Sequence, residues 1–325
     1  MADIALIGAG RIGRIHGRNA GSTAGITLKY VIDPVAEAAE ALAAELGASV
    51  ATVEQALDDP GIAGVVIASS TDTHLDLCLA AHAAGKAIFC EKPIDLDLAR
   101  ARGAAPRLAG ARLFVAFNRR FDANLQALRS AVDAGEIGAV ETVNITSHDP
   151  APPPIGFVRT SGGLFRDMAI HDFDTAGWLL GEPVVEVFAA AGCLVDPEIG
   201  EAGDVDTAKI LLRTAGGRLA LISNTRRSGY GYDQRIEVFG AKGMLRAGNR
   251  LESETQAWTE AGPAADRIQN FFLDRYAEAY RAEMAHFADV LAGQAPAIGL
   301  DDALGALALA EAAQASHDKG QPVRV

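Results

Sequence analysis

Short runs of branched apolar residues alternate with alanine-rich stretches along the first third of the chain. Ile4 to Ile7, Leu28 to Ile32, Val65 to Ala68, Ala87 to Cys90 and Leu113 to Ala116 are almost continuously apolar, the pattern of strands covered on both faces. Between them lie stretches with helical periodicity, among them Val35 to Leu46 and Thr73 to Ala84. Each is followed by a glycine, Gly47 or Gly85, where a left-handed residue ends a helix. Strand and helix in alternation predict βαβ units wound into a parallel sheet of five or six strands, with helices on both faces.

Beyond about residue 120 the pattern changes, because strand-like runs follow one another with turn residues between them. Val140 to Thr146, Val184 to Ala191, Thr207 to Arg213, Gly217 to Asn224, Gln234 to Gly240 and Gly243 to Ala247 are such runs. Consecutive strands predict a mostly antiparallel, open sheet. Helical stretches from Gly163 to Leu180 and from about Asn270 to Leu291 interrupt it, and a third from Leu300 to His317 closes the chain. The fold expected is an α/β Rossmann domain with a doubly wound parallel sheet over residues 1–120, then an α+β domain over 121–325.

Length and charge narrow the function classes. A chain of 325 residues exceeds the size at which one hydrophobic core keeps growing, which agrees with two domains. The formal net charge of −13 repels phosphate backbones and anionic headgroups, so nucleic acid and membrane surfaces are not expected partners. Cys78, Cys90 and Cys193 form none of the short pairs that clamp zinc or make a redox dithiol, and are read as reduced, mostly buried small hydrophobes. The N-terminus enters a strand without the segments of an export signal, and no apolar run approaches the ~20 residues of a membrane span. A soluble cytoplasmic protein is the expectation.

Candidate chemistry begins at Gly8-Ala9-Gly10-Arg11-Ile12-Gly13, which follows the first strand directly and opens a helix. In this context Gly8 permits the tight turn, Gly10 lets a pyrophosphate approach the backbone, and Gly13 allows close packing of helix on strand. The phosphate rests on the unpaired N–H groups at the helix start, where Arg11 and Ile12 stand. Asp33 ends the next strand, where a carboxylate takes both adenosine ribose hydroxyls and repels a 2′-phosphate. Pro34, Val35 and Ala36 follow it with no cation to reward that phosphate, so NAD is expected over NADP.

Ligands of open α/β sheets bind beyond the carboxyl ends of the strands. Two polar groups stand there, Ser69, Ser70, Thr71 and His74 after one strand, and Glu91-Lys92-Pro93 after the next. The first group also reads as an N-cap cluster for its helix. Lys92, held between a strand end and a proline, is suited to donate to a substrate oxygen beside the cofactor. In the second domain Asp167 and His171 are four apart, which places them on one helical face and lets the carboxylate orient the imidazole. His148, Asp149, His171, Asp172 and Asp174 are metal-ligand types, but the spacing of the last three spreads them around a helix, so no metal is expected.

The glycine loop, the Ser69-Ser70-Thr71-Asp72-Thr73-His74 stretch and above all Glu91-Lys92-Pro93 resemble the Gfo/Idh/MocA oxidoreductases, nicotinamide-dependent sugar and polyol dehydrogenases. The resemblance covers the chain, and it implies a second domain whose open sheet mediates dimers or tetramers. Gly162 and Gly163 before Asp167-x-x-x-His171 resemble the myo-inositol 2-dehydrogenase branch, as do Phe117 to Asp122, Asp149 to Pro154, Tyr230 to Arg235 and Phe272 to Tyr276. The resemblance implies Lys92, Asp167 and His171 as the catalytic trio. His171 takes the hydroxyl proton as hydride leaves for the nicotinamide, Asp167 orients it, and Lys92 stabilises the developing alkoxide. The same resemblance makes Asn118 and Tyr230 substrate contacts, with His148 a further candidate that tunes which polyol fits. The function implied is oxidation of a ring hydroxyl of a cyclic polyol, myo-inositol foremost, to a ketone. Two alternatives stand beside it: a dehydrogenase for another inositol isomer or an aldose, and an NAD-binding regulator of the same fold.

Overall fold

The computed structural model describes residues 1–325 and divides into two compact units, Met1–Phe121 with Glu278–Gly305 and Asp122–Ala277 with Ala306–Val325. The first unit runs β1 (Ala2–Ile7), α1 (Arg11–Ser22), β2 (Ile26–Ile32), α2 (Ala36–Leu46), β3 (Ser49–Val50), α3 (Val53–Asp58), β4 (Ile62–Ile67), α4 (His74–Ala83), β5 (Ala87–Glu91), α5 (Leu98–Ala104) and β6 (Leu113–Ala116). Its strands pair in the order β3-β2-β1-β4-β5-β6, all parallel. Consecutive residues along each central strand are buried, as in Leu6 and Ile7, Val65 and Val66, or Ile88 and Phe89. That is why these runs lack polar alternation: helices cover both faces, and each large apolar side chain buried contributes ~1.5–3 kcal/mol. Helix α2 ends at Gly47, whose φ of 68° is left-handed. The two-residue edge strand β3 carries no periodic signal and was not expected.

The strand order reverses between β1 and β4, and the loops at their carboxyl ends splay apart there. The glycine loop after β1 and Ser69 after β4 flank this switch point. Glu91 ends the neighbouring strand β5, and Lys92 follows it.

The second unit contains α6 (Ala123–Asp133), β7 (Val140–His148), α7 (Ile155–Val158), α8 (Gly163–Asp167), α9 (Ala169–Leu180), β8 (Val184–Gly192), α10 (Pro197–Glu201), β9 (Thr207–Thr214), β10 (Leu219–Thr225), β11 (Asp233–Gly240), β12 (Gly243–Ala247), β13 (Gln256–Thr259), β14 (Gly262–Ala265) and α11 (Phe272–Arg275). After it come α12 (Ala277–Leu291), α13 (Leu300–Lys319) and β15 (Val323–Arg324). The main sheet has the order β12-β11-β7-β10-β9-β8-β15. Only β7 and β10 pair in parallel, and every other neighbour is antiparallel. Along β9 buried and exposed residues alternate strictly, so one face is a core and the other is open. The core face, with Val143, Ile145, Ile210, Leu212 and Ile222, packs against Phe165, Phe173, Leu179 and Leu180 of α8 and α9.

Three details differ from the sequence pattern. The stretch from Gly163 to Leu180 is two helices that meet at Met168, not one. The stretch from Asn270 is likewise divided, into α11 and α12. Finally, the expected run of 121–325 as one domain is corrected, because Glu278–Gly305 belongs with the first sheet. Its Phe287 meets the Phe89 ring at 5.7 Å, and Phe287 and Leu291 lie over Gly64, where a Cβ would come within 2.8 Å of the leucine. Helix α12 supplies the apolar cover that this part of the parallel sheet requires. No helix is long and apolar enough to cross a membrane.

Candidate functional site

The glycine loop of the first unit is shaped by close approach. A Cβ at Gly13 would lie 1.9 Å from the Gly8 carbonyl oxygen, and one at Gly8, whose φ is +106°, would lie 2.4 Å from that of Ala68. Around a Cβ at Gly10 there is nothing within 4 Å. The two outer glycines are therefore required by the fold, while Gly10 leaves an open cradle at the start of α1, beside the amides of Arg11 and Ile12. Asp33 braces this loop: its Oδ2 accepts the Ala9 amide at 2.7 Å and its Oδ1 the Val35 amide at 2.9 Å.

The residues after β4 and β5 form one connected structure. The Ser69 and Thr73 hydroxyls share a hydrogen bond of 2.6 Å, and Thr73 donates to the Ser70 carbonyl at 2.7 Å. Ser70 is exposed, with Ser69 and Thr71 half-buried. His74 is buried, with Nδ1 2.8 Å from the Pro93 carbonyl and Nε2 3.2 Å from that of Ser69. It ties the loop after β4 to the loop that carries Lys92, so its ring is committed to backbone and not turned outward to a cofactor. The α4 N-cap, Thr73, makes no side-chain cap. Glu91 is bound by His16 of α1 at 2.6 Å and accepts the Lys92 amide at 3.2 Å. Burial opposes its ionisation, but the His16 hydrogen bond and the nearby charges of His16, Lys92 and His74 outweigh that and hold Glu91 below the usual carboxylate range. Lys92 thus follows a strand end whose carboxylate is fixed to the helix of the nucleotide loop.

In the second unit, Asp167 is the last residue of α8 and His171 lies in the first turn of α9. The glycine pair Gly162 and Gly163 at the start of α8 is held in a fixed conformation. Both residues have left-handed φ, 85° and 83°, and a Cβ on Gly163 would sit 2.7 Å from Asp204 Oδ1, which accepts the Leu164 amide at 2.9 Å. Asp204 therefore caps α8 through space that only glycine leaves. At the other end of α8 a residue absent from the sequence reading enters. The guanidinium of Arg226, just beyond β10, has its Nη1 and Nη2 3.4 and 3.3 Å from Asp167 Oδ2, and Nη1 is 4.0 Å from Asp149 Oδ2. Arg226 is only 2% exposed. Beside His171, the buried Asp172 accepts from Asn224 Nδ2 at 2.7 Å.

Two family models match the chain: one described as oxidoreductase family, NAD-binding Rossmann fold, over residues 2–117, and one for the GFO/IDH/MocA C-terminal domain over residues 125–246. The chain belongs to the GFO/IDH/MocA oxidoreductase family. It is 48% identical to an inositol 2-dehydrogenase of Rhizobium meliloti, over 95% of this chain and 94% of that one. It is 43% identical to a myo-inositol 2-dehydrogenase of Thermotoga maritima, over 99% and 98% of the two chains. Among solved structures, the scyllo-inositol dehydrogenase of Lactobacillus casei with bound NAD(H) and scyllo-inositol matches with a TM-score of 0.93 at 28% identity, covering 100% of this chain and 99% of that one.

The cradle at Gly10 fits the NAD of this GFO/IDH/MocA fold, because the space a side chain would fill is open and the amides beside it start a twelve-residue helix. Of the other candidates, Asn118 is buried directly after β6. Tyr230 is 60% exposed and its hydroxyl donates to Asp233 at 2.8 Å. His148 is not brought to the face of the sheet that carries α9. Ser147 and Asn224 pair across β7 and β10 on that face, so the next residue, His148, turns to the opposite one, 2.9 Å from Ser223 and 3.9 Å from Asp233. Burial lowers its proton affinity, with Asp233 pulling the other way. Cys78 and Cys90 are buried, whereas Cys193 is exposed, with its thiol turned to the Asp196 carbonyl.

Proposed function

We propose that this protein is an NAD-dependent dehydrogenase that oxidises one ring hydroxyl of a cyclic polyol to the ketone, with the 2-hydroxyl of myo-inositol as the reacting group. The observation that carries the reading is the presence of Lys92, Asp167 and His171 together in a chain that aligns end to end with inositol 2-dehydrogenases. NAD, when bound, supplies the hydride acceptor. His171 takes the hydroxyl proton as the carbinol C–H bond gives its hydride, Asp167 supports the imidazolium that results, and the Lys92 ammonium stabilises the alkoxide as it develops. Gly8, Gly10, Arg11, Ile12 and Gly13 hold the pyrophosphate, Asp33 faces the adenosine ribose, and Asn118 and Tyr230 contact the polyol. A second reading, with another inositol isomer as the preferred substrate, draws support from the neighbour that holds scyllo-inositol.

The test is formation of NADH by the purified protein across a panel of inositols and aldoses. Turnover is expected with myo-inositol and NAD, and weakly if at all with NADP. Silence on the whole panel, with NAD still bound, would instead assign the chain to regulators that share this fold.

The same reading includes a cytoplasmic enzyme, in keeping with its three free cysteines, and a homo-oligomer, dimer or tetramer, built through the open face of the second sheet. That face is apolar across neighbouring strands: Phe188 lies opposite Leu211, Leu211 opposite Leu221, and Phe239 opposite Met244, all more than a third exposed. An apolar surface of this extent marks an association site. A monomeric mass in solution by light scattering would remove this part of the reading.

A further inference from the structure

We infer that Arg226 is the positioning residue of the Asp167 and His171 pair, anchoring one oxygen of the Asp167 carboxylate at the end of α8 so that the carboxylate is held in a fixed orientation for its work with the imidazole. The inference rests on the assignment of that pair to the chemistry, and deepens it.

The sequence pattern puts Asp167 and His171 one turn apart on a continuous helix, but the helix is interrupted at Met168 between them. Met168 keeps right-handed helical angles, so the two residues stay about one turn apart, but that spacing does not fix which way the carboxylate turns, and an anchor from outside the helix can. Arg226 is that anchor. Both terminal nitrogens of its fork converge on Oδ2, at 3.4 and 3.3 Å, instead of taking the two oxygens side by side. The usual Arg–carboxylate geometry is bidentate, and here Oδ1 is left out of the guanidinium contact. The Arg226 amide is fixed as well, donating to the Asp206 carbonyl at 2.9 Å.

Energetics point the same way. A guanidinium 2% exposed carries a large desolvation cost, and its Nε has no hydrogen-bond partner. A residue kept only for stability is poorly served by such an arrangement, which apolar packing would match or better. Its charged neighbours are acidic: Asp149 Oδ2 lies 4.0 Å from Nη1, beside the contact with Asp167, while Arg166, next to Asp167 in sequence, is turned toward Glu311 at 3.8 Å. The Arg226 charge therefore faces the Asp167 and Asp149 carboxylates.

Two variants test this. In Arg226→Gln, kcat for inositol oxidation is expected to fall ~10–100-fold, as for a catalytic group slightly misplaced. The acid limb of kcat/KM should move to higher pH by ~0.5–1 unit, since loss of a neighbouring cation strengthens proton binding. Affinity for NADH should stay at the parent value. Arg226→Lys keeps the charge without the fork, so its acid limb should stay in place while kcat still falls several-fold. A folded Arg226→Gln with the parental pH profile overturns the inference. So does an Arg226→Lys variant indistinguishable from the parent, even if the glutamine variant proves too unstable to assay. Titration of the His171 imidazole by NMR in parent and variants needs no substrate: an unchanged midpoint in Arg226→Gln counts against Arg226, whereas a parent that reduces no NAD on any polyol counts against the proposed function instead.

Discussion

Asp33 holds the backbone amide of Ala9 at 2.7 Å, so the residue directly after β2 is part of the nucleotide loop that follows β1. A carboxylate at that point acts twice. It shapes the loop from within, and in the proposed NAD complex it would place negative charge where a 2′-phosphate would lie. Asp33→Ala should therefore weaken NAD by ~10-fold or more, in line with a charged hydrogen bond worth ~1.5–3 kcal/mol, and should relax discrimination against NADP. Titrations with NADH and NADPH, followed by quenching of protein fluorescence, check both; an unchanged ratio of the two affinities would refute the ribose argument.

The three loop glycines separate fold from function. Gly13→Ala drives a methyl to 1.9 Å from the Gly8 carbonyl and should unfold or strongly destabilise the first unit. Gly10→Ala meets nothing within 4 Å and keeps an ordinary φ of −70°. The variant should melt at the temperature of the apo parent, yet bind NAD at least ~10-fold more weakly, because the methyl occupies the path of the pyrophosphate. Paired melting curves with and without NAD check this, and an alanine at position 10 that lowers the apo melting temperature as much as one at position 13 would contradict it.

Much of the fold was legible because periodicity is local. The parallel strands and their capping glycines declare themselves within a dozen residues, and so does the Gly8 to Gly13 loop. What escaped depends on residues far apart in sequence. Asp122 and Arg275 each stand in strings that pointed to the family, yet only the fold shows them as a buried ion pair. Arg226 carries no motif, and its contact with Asp167 exists only because it follows strand β10 in the fold. His74 looked like a cofactor contact because it follows a strand end, but its ring bridges the Ser69 and Pro93 carbonyls. The return of Glu278–Gly305 to the first sheet was hidden for the same reason. An amphipathic helix announces that it must cover something, but not what.

His171 offers the most direct kinetic test of the assigned roles. Removal of a general base costs ~100-fold or more in the chemical step. His171→Ala should lower kcat to that degree while NAD affinity stays near the parent value, since the glycine loop and Asp33 lie in the other unit. Single-turnover measurement of NADH formation separates chemistry from product release. An unchanged rate would mean that the base is another group.

Glu283 gives a prediction about stability. It lies on α12, fully buried, with neither carboxylate oxygen hydrogen-bonded. Burial, and then the negative charge of Glu91, push its proton affinity well above the ordinary carboxylate range. The folded state therefore keeps this proton at pH values where the unfolded chain, with an ordinary glutamate near ~4.3, has released it. Stability from this group is fully present below that value and is lost as pH rises toward the folded-state titration. Glu283→Gln mimics the protonated form and abolishes the dependence, so its advantage over the parent should be small near pH ~4.5 and larger at pH ~8. Urea unfolding of both proteins at the two pH values measures this difference. An advantage that stays constant with pH, or grows as pH falls, would show that Glu283 is ionised in the folded protein.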